Sequence, residues 1–195
     1  MDIKYRNAQK KDCSKVAEYI NYASDGVLDF LFEDTVGGMT VAQILTYGLE
    51  DENGHNSYKS VIVAEYNLDI IGIIQSYSSK YHRIDDEMRS FFPKEKLEQF
   101  KEFYESRIDN SLLINAMFVN KDFRCKGIGT RFISLAKTKA ESLGFDKLSL
   151  FVLTDNLNAQ KVYHSNGFKI VKEIKLKDTV KINHKGEMYL TQLSH

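Results

Sequence analysis

The run Arg124-Cys125-Lys126-Gly127-Ile128-Gly129-Thr130 follows the apolar segment Leu112 to Val119 and precedes a segment with helical periodicity. A strand, a glycine loop and a helix N-terminus in this order bring unpaired backbone N–H groups together, and the helix dipole adds partial positive charge there. Such an arrangement binds the oxygens of a phosphate or pyrophosphate group. We therefore expect an anion-binding site in this loop.

The spacing of the glycines distinguishes three kinds of phosphate loop. A P-loop requires GxxxxGK[ST], which is absent here, and Phe132 occupies the position of the third glycine of a GxGxxG dinucleotide fingerprint. The third pattern, R/Q-x-x-G-x-G/A, is fulfilled by Arg124 to Gly129. A nucleotide-binding oxidoreductase stays as a distant alternative, because Asp155 at the end of the next apolar run could imitate the acid that binds a ribose.

A second pattern lies further along the chain, in the run Asn156-Leu157-Asn158-Ala159-Gln160-Lys161-Val162-Tyr163-His164-Ser165-Asn166-Gly167-Phe168. Ala159 and Tyr163 share one face of a helix, and Gly167 ends that helix before another strand. Together the two patterns resemble the GCN5-related N-acetyltransferase (GNAT) superfamily, which has N-x-x-A-x-x-x-Y-x-x-x-G-F at this place. The resemblance is specific over Leu112 to Ile174 and coarse before it.

The resemblance implies that acetyl-CoA is the acetyl donor and that the loop backbone holds its pyrophosphate. It also implies that Tyr163 protonates the departing CoA thiolate, although a packed structural tyrosine is the alternative. Asn156 is expected to contact the pantetheine arm, with a helix N-cap as the alternative. The cofactor-binding residues that we expect are Phe118, Val119, Arg124, Cys125, Lys126, Gly127, Ile128, Gly129, Thr130 and Asn156, and the expected catalytic residue is Tyr163.

No residue of the sequence is predicted to be the general base. Many members of the superfamily carry a glutamate on the strand before the loop, but Leu112 to Val119 contains only Asn115 as a polar residue. An amide cannot take up a proton at neutral pH, although it could orient a water molecule. Glu33, Glu65 and His82 are conceivable bases. The missing glutamate motivates an alternative function, a catalytically silent acyl-CoA-binding or sensing module.

The elements that must position these residues form a mixed α/β pattern. The order of elements and the resemblance imply a single domain over residues 1–195, with a central, mixed but mostly antiparallel twisted sheet. Helices are expected on both faces, with a helical insertion over residues 80–110 before the fourth strand. The helix after the loop should turn Ile128, Phe132, Leu135, Ala136, Ala140 and Leu143 towards the core. Strands are expected at Ile3 to Arg6, Ser60 to Glu65, Ile70 to Gln75, Leu112 to Val119, Lys147 to Leu153, Phe168 to Lys177 and Glu187 to Leu193.

The composition limits the classes of partner. The 195 residues contain 27 basic and 27 acidic side chains, so no overall field attracts nucleic acid or an acidic membrane. The apolar runs are too short to span a bilayer and the N-terminus lacks a signal-peptide core, so a cytoplasmic protein is expected. Cys13 and Cys125 are isolated, which suggests neither a disulfide nor a metal site. A small-molecule amine or a peptide is the expected acceptor, and whether the protein forms a homodimer is open.

Overall fold

The computed structural model describes residues 1–33, 35, 37–176 and 187–194, and its centre is a sheet of seven strands. The strands are β1 Lys4–Asn7, β2 Val61–Tyr66, β3 Asp69–Ser78, β4 Ser111–Val119, β5 Lys147–Leu153, β6 Lys169–Lys175 and β7 Glu187–Ser194. Their order in the sheet is β1-β2-β3-β4-β5-β7-β6. The β4–β5 pair is parallel and the other pairs are antiparallel, which confirms the mixed, mostly antiparallel sheet.

Helices cover both faces of the sheet, as expected. They are α1 Cys13–Ala23, α2 Val27–Phe32, α3 Val41–Glu50, α4 Asp86–Phe91, α5 Lys94–Gln99, α6 Lys101–Glu105, α7 Ile128–Ser142 and α8 Leu157–Ser165. Side chains alternate across each strand, so each face has its own apolar layer. On one face α7 buries Phe132 and Ala136 against Leu148, and on the other α1 and α3 pack against Val63 and Ile73.

Two details of the predicted elements differ from the structure. Leu143 is 57% exposed although the helical period placed it in the core. The reason is that α7 ends at Ser142 and Gly144 then adopts a left-handed φ of 77°, so Leu143 lies past the last turn that faces the sheet. The strand expected from Phe168 ends at Lys175, and Lys177 with the following connection lies outside the described residues.

The segment between β3 and β4 forms α4, α5 and α6. Together with α2 it packs against the β5–β7 part of the sheet, with Leu31, Phe100, Leu153 and Met188 buried in one cluster. The ammonium group of Lys96 on α5 donates to the carbonyls of Phe30, Leu31 and Glu33 at the C-terminal end of α2. A lysine at a helix C-terminus satisfies carbonyls that have no partner within the helix. No helix in the described part of the chain is long and apolar enough to cross a membrane.

The parallel pair β4–β5 separates halfway along β4. Pairing joins Ser111–Ile114 to Lys147–Leu150 and then stops, whereas β4 stays paired with β3 as far as Val119. The register between β3 and β4 shifts at Gln75/Ser76, which makes Asn115 an extra residue and hence a β-bulge. From Asn115 onwards, the edge of β4 that faces β5 therefore has no strand partner among the described residues.

Candidate active site

The loop before α7 presents a continuous run of backbone donors. Cys125 has a left-handed φ of 59° and Gly127 one of 78°, and these turns carry the chain from β4 into the helix. Within the described residues, the N–H groups from Cys125 to Thr130 make no hydrogen bond, and the first amide to find a partner is that of Arg131, which donates to the carbonyl of Gly127 at 2.9 Å. Unpaired amides in such a concave loop at a helix N-terminus form an anion site.

The two basic side chains of the loop fold back onto the protein. Arg124 Nε donates to the carbonyl oxygen of Val119 at 3.0 Å, and its guanidinium lies 5.9 Å from the centre of the Phe118 ring. Lys126 Nζ donates to the carbonyl of Asp122 at 2.7 Å. Both side chains are exposed, so they bring positive charge to the mouth of the loop while the backbone N–H groups remain its directed donors.

The loop, β4 and α8 meet at Gly129. A methyl group built on Gly129 would lie 3.6 Å from Val162 of α8 and 3.8 Å from Met117 of β4, which is ordinary contact distance. Beside it, Asn166 Nδ2 lies 3.5 Å from Thr130 Oγ1. The structure thus brings the glycine loop and the tyrosine-bearing helix to the same end of the separating strands.

Tyr163 is buried on α8, with 9% of its surface exposed, and its ring meets that of Phe168 edge-on at 5.7 Å. Its hydroxyl group has no hydrogen-bond partner among the described residues. Burial raises the pKa of Tyr163 to about 12, so the phenol keeps its proton at neutral pH. A protonated phenol without a protein partner can donate to a bound ligand.

Asn156 is the N-cap of α8, which was the alternative to its contact with the pantetheine arm. Its Oδ1 accepts a hydrogen bond from the backbone N–H of Ala159 at 3.2 Å at the start of α8. Its Nδ2 has no partner within the described ranges. The same amide can therefore cap the helix with its oxygen and donate to a ligand with its nitrogen.

Phe118 and Val119 lie opposite Ile73 and Gly72 of β3. The Phe118 ring packs on Tyr19 of α1 at 4.6 Å between ring centres, so its side chain is structural. A Cβ on Gly72 would come within 2.8 Å of the Phe118 carbonyl oxygen, which requires glycine at this close approach. Neighbouring residues of a strand turn their N–H and C=O groups to opposite sides. Asn120 N–H donates to Ile71 of β3, and the carbonyl of Val119 accepts from Arg124, so of these two residues Val119 is the one whose backbone faces the unpaired edge of β4.

Of the three conceivable bases, two are engaged by other residues and the third is exposed at the end of α2. Glu65 forms an ion pair with Arg6 at 2.8 Å. His82 is buried among aromatic rings, its Nε2 lies 2.9 Å from the carbonyl of Phe103, and burial lowers its pKa to about 4. Glu33 is exposed at the end of α2. In the described part of the chain, no group of three or more His, Cys, Asp or Glu side chains could hold a metal ion.

Gln75 and Tyr77 were not among the residues predicted for the site. Both side chains contact Asn115: Tyr77 donates to Asn115 Oδ1 at 2.8 Å, and Asn115 Nδ2 donates to Gln75 Oε1 at 2.8 Å. The alternation along β3 places Gln75 and Tyr77 on one face, which was the available signal. Their contact with Asn115 depends on the bulge in β4, which the sequence does not reveal.

A family model described as "Acetyltransferase (GNAT) family" matches residues 29–168. Among solved structures, one of an acetyltransferase is 23% identical, covers 98% of each chain and has a TM-score of 0.70. An N-acetyltransferase from Staphylococcus aureus Mu50 is 20% identical, with a TM-score of 0.70 and coverage of 97% of this chain and 100% of that one. The yncA protein of Salmonella typhimurium, solved with its cofactor acetyl-CoA, is 16% identical, with a TM-score of 0.61 and coverage of 100% and 94%.

These structural likenesses show the shared fold, and the family model spans most of the chain, including the glycine loop and the asparagine-to-phenylalanine segment. The chain therefore belongs to the acetyltransferase (GNAT) family, which implies acyltransferase activity with acetyl-CoA as the acetyl donor.

Proposed function

We propose that this chain is a single-domain N-acetyltransferase that transfers the acetyl group of acetyl-CoA to a primary amine of a small molecule or peptide. The observation that carries the proposal is the run of unpaired N–H groups from Cys125 to Thr130, placed where β4 separates from β5. An anion-binding loop next to an unpaired strand edge suits a ligand with a pyrophosphate at one end and an amide-containing arm at the other.

The donor site has three parts. The N–H groups of Cys125, Lys126, Gly127, Ile128, Gly129 and Thr130 hold the pyrophosphate, and the side chains of Arg124 and Lys126 add positive charge. Main-chain groups near Phe118 and Val119 pair with the pantetheine arm, as a neighbouring strand would. Asn156 donates to the same arm through Nδ2 while its oxygen caps α8. Among the described residues, the loop N–H groups and Asn156 Nδ2 have no other hydrogen-bond acceptor, so they are free to donate to such a ligand.

The transfer is a direct attack within a ternary complex. The amine nitrogen forms a bond to the thioester carbonyl carbon, the carbon–sulfur bond breaks, and Tyr163 gives its proton to the leaving thiolate. The nitrogen releases one proton as the amide forms, and the Tyr163 phenolate regains one from solvent. An alkyl amine has a pKa of about 10, so it must lose a proton before attack. Asn115 cannot take this proton, and a water molecule next to it carries the proton to solvent.

The test measures donor binding and amine-dependent release of CoA separately. Binding of acetyl-CoA is followed by calorimetry and by the melting temperature. Release of CoA is followed chromatographically over spermidine, lysine, kanamycin and alanyl peptides, because the exposed Cys125 would react with a thiol reagent. We expect binding, and turnover of at least one amine that falls in Tyr163→Phe. Neither heat of binding nor a melting shift at saturating acetyl-CoA would refute the proposal.

One observation favours a second candidate, the catalytically silent acyl-CoA-binding module. Asn115 stands where many relatives carry a glutamate, and both of its polar atoms are already engaged by Gln75 and Tyr77. A silent module predicts tight acetyl-CoA binding without CoA release on any amine of the panel. Turnover that depends on Tyr163 rejects this candidate.

A further inference from the structure

A chain of polar side chains crosses from the β2 end of the sheet to the bulge of β4. Gln75 Nε2 donates to the carbonyl of Asn56 at 3.3 Å and to Ser60 Oγ at 3.2 Å. Asn115 Nδ2 then donates to Gln75 Oε1, and the Tyr77 hydroxyl donates to Asn115 Oδ1, both at 2.8 Å. Gln75 is 1% exposed, so water does not replace its partners.

The carbonyl of Asn56 sets the direction of every hydrogen bond in this chain. A carbonyl only accepts, so Gln75 must turn its NH₂ group towards Asn56 and its oxygen towards Asn115. Asn115 must then turn its NH₂ group towards Gln75 and its oxygen towards Tyr77. Rotating either amide would bring like atoms face to face. Tyr77 is left as the donor, so its proton is committed and its oxygen offers lone pairs outward.

The Tyr77 oxygen lies beside the place where β4 leaves β5. It is one hydrogen bond away from Asn115, the first residue of β4 beyond the last pair with β5. Gln75 and Tyr77 alternate with Ser76, so they lie on the face of β3 where Ile73 packs with α1. Tyr163 packs with α7 on the opposite face of the sheet. Asn115 is exposed, and the hydrogen bond that it accepts from Tyr77 lies at the surface, so a ligand can approach the phenol oxygen from the side of Asn115.

We propose that Tyr77 binds the acceptor amine by accepting a hydrogen bond from its nitrogen, and that Gln75 and Asn115 are positioning residues that act through Tyr77. The inference rests on the proposed N-acetyltransferase function. Burial raises the pKa of the Tyr77 phenol, which keeps it neutral and therefore an acceptor that does not take the proton.

This arrangement selects amines over alcohols. A primary amine that has lost its extra proton attacks with its lone pair and still carries two N–H groups, one of which can bond to Tyr77. An alcohol has one O–H group, and it must lose that proton during the attack. A committed hydrogen-bond acceptor that holds the nucleophile therefore stabilises a nitrogen nucleophile throughout the reaction, and an oxygen nucleophile only before it.

The decisive comparison is Tyr77→Phe, which removes one oxygen atom, with Tyr81→Phe as the matched control. Tyr81 stacks on His55 at 4.5 Å and takes no part in the chain of hydrogen bonds. Rates are measured at saturating acetyl-CoA with whichever of spermidine, lysine, kanamycin or alanyl peptide the wild-type protein acetylates fastest. We expect Tyr77→Phe to raise the KM for the amine about two- to tenfold, with acetyl-CoA affinity and melting temperature unchanged.

A second variant tests the positioning role. Asn115→Ala leaves the Tyr77 hydroxyl in place but frees its rotation, so it should raise the KM for the amine by a smaller factor than Tyr77→Phe. An unchanged amine KM in Tyr77→Phe, with a wild type that turns over, overturns the inference and leaves the proposed function standing. A wild type that binds acetyl-CoA but acetylates none of the four amine probes fails the proposed function itself, and the inference falls with it.

Discussion

Gly127 and Gly144 form a natural matched pair for testing the loop that begins α7. Gly127 has a φ of 78° and Gly144 one of 77°, and a methyl group at either position would meet no other atom within 4 Å. Alanine at both sites therefore adds the same left-handed strain, roughly 1–2 kcal/mol, without a clash. A chain of this size loses about 2–4 °C of melting temperature per kcal/mol, so both variants should melt lower by a similar amount.

The two variants should differ in their affinity for acetyl-CoA. Gly127 is the N-cap of α7 and lies inside the run of unpaired amides, whereas Gly144 follows the other end of the same helix. Relief of the strain at Gly127→Ala turns neighbouring N–H groups away from the pyrophosphate. Loss of one hydrogen bond to a charged group costs roughly 1.5–3 kcal/mol, or about a 10- to 150-fold rise in Kd. Gly144→Ala should bind within about twofold of wild type, since such differences lie below 0.5 kcal/mol.

Calorimetric titration with acetyl-CoA and with S-acetylpantetheine, which lacks the pyrophosphate, checks the assignment. Gly127→Ala should weaken binding of acetyl-CoA and leave that of S-acetylpantetheine unchanged. Equal acetyl-CoA affinities in the two glycine variants would show that the loop amides do not hold the pyrophosphate. An equal loss for both ligands in Gly127→Ala would place the damage in the arm site.

Three further outcomes follow from burial and close approach. Tyr163→Phe should lower kcat by roughly 10²-fold or more at unchanged acetyl-CoA affinity, and an unaltered kcat contradicts the role of Tyr163 as the acid. Since burial places the pKa of this phenol at about 12, wild-type activity should show no alkaline loss near pH 10. The folded pKa of His82 is about 4, below its unfolded value of about 6.5, so its contribution of about 3 kcal/mol to folding is complete above pH 6.5 and is lost between pH 6.5 and 4. The wild type should therefore lose more melting temperature over this pH range than His82→Gln, and equal losses would refute this. Gly72→Ala should lower the free energy of unfolding by about 1–3 kcal/mol, because the new Cβ would lie 2.8 Å from the Phe118 carbonyl oxygen. Gly48→Ala, with open space in α3, should raise it by up to about 1 kcal/mol. Denaturant unfolding that ranks the two variants in the reverse order counts against the β3–β4 geometry.

Local patterns predicted the parts of the site that are continuous in the chain. The glycine at the start of α7, its helical period and the final Gly144 are set by residues close to one another, because left-handed turns and helical hydrogen bonds span only a few positions. The same is true of α8, which begins after Asn156 and carries Tyr163 on its buried side. The prediction that Leu143 is buried was wrong, because helical periodicity does not show at which turn a helix stops facing the sheet.

Contacts between residues of separate strands could not be predicted from local patterns. His82 could be named as a titratable group, but its burial against Phe103 and Phe151 depends on how α6 packs on β5. Asn115 could be named as the polar residue of its strand, but its partners Gln75 and Tyr77 depend on the register with β3. A shift of one residue in register moves every side chain to the other face, so neighbours across a sheet cannot be read from one strand.

The sequence by itself determined the family and predicted the glycine loop before α7 as the donor site, because both depend on short runs of residue types whose conformations are local. Only the tertiary structure decided where the site opens. The parallel strands β4 and β5 separate after Ile114, and a bulge at Asn115 turns that residue towards Tyr77. The extent and register of pairing depend on how each strand meets its neighbours on both edges, and these neighbours come from distant parts of the chain.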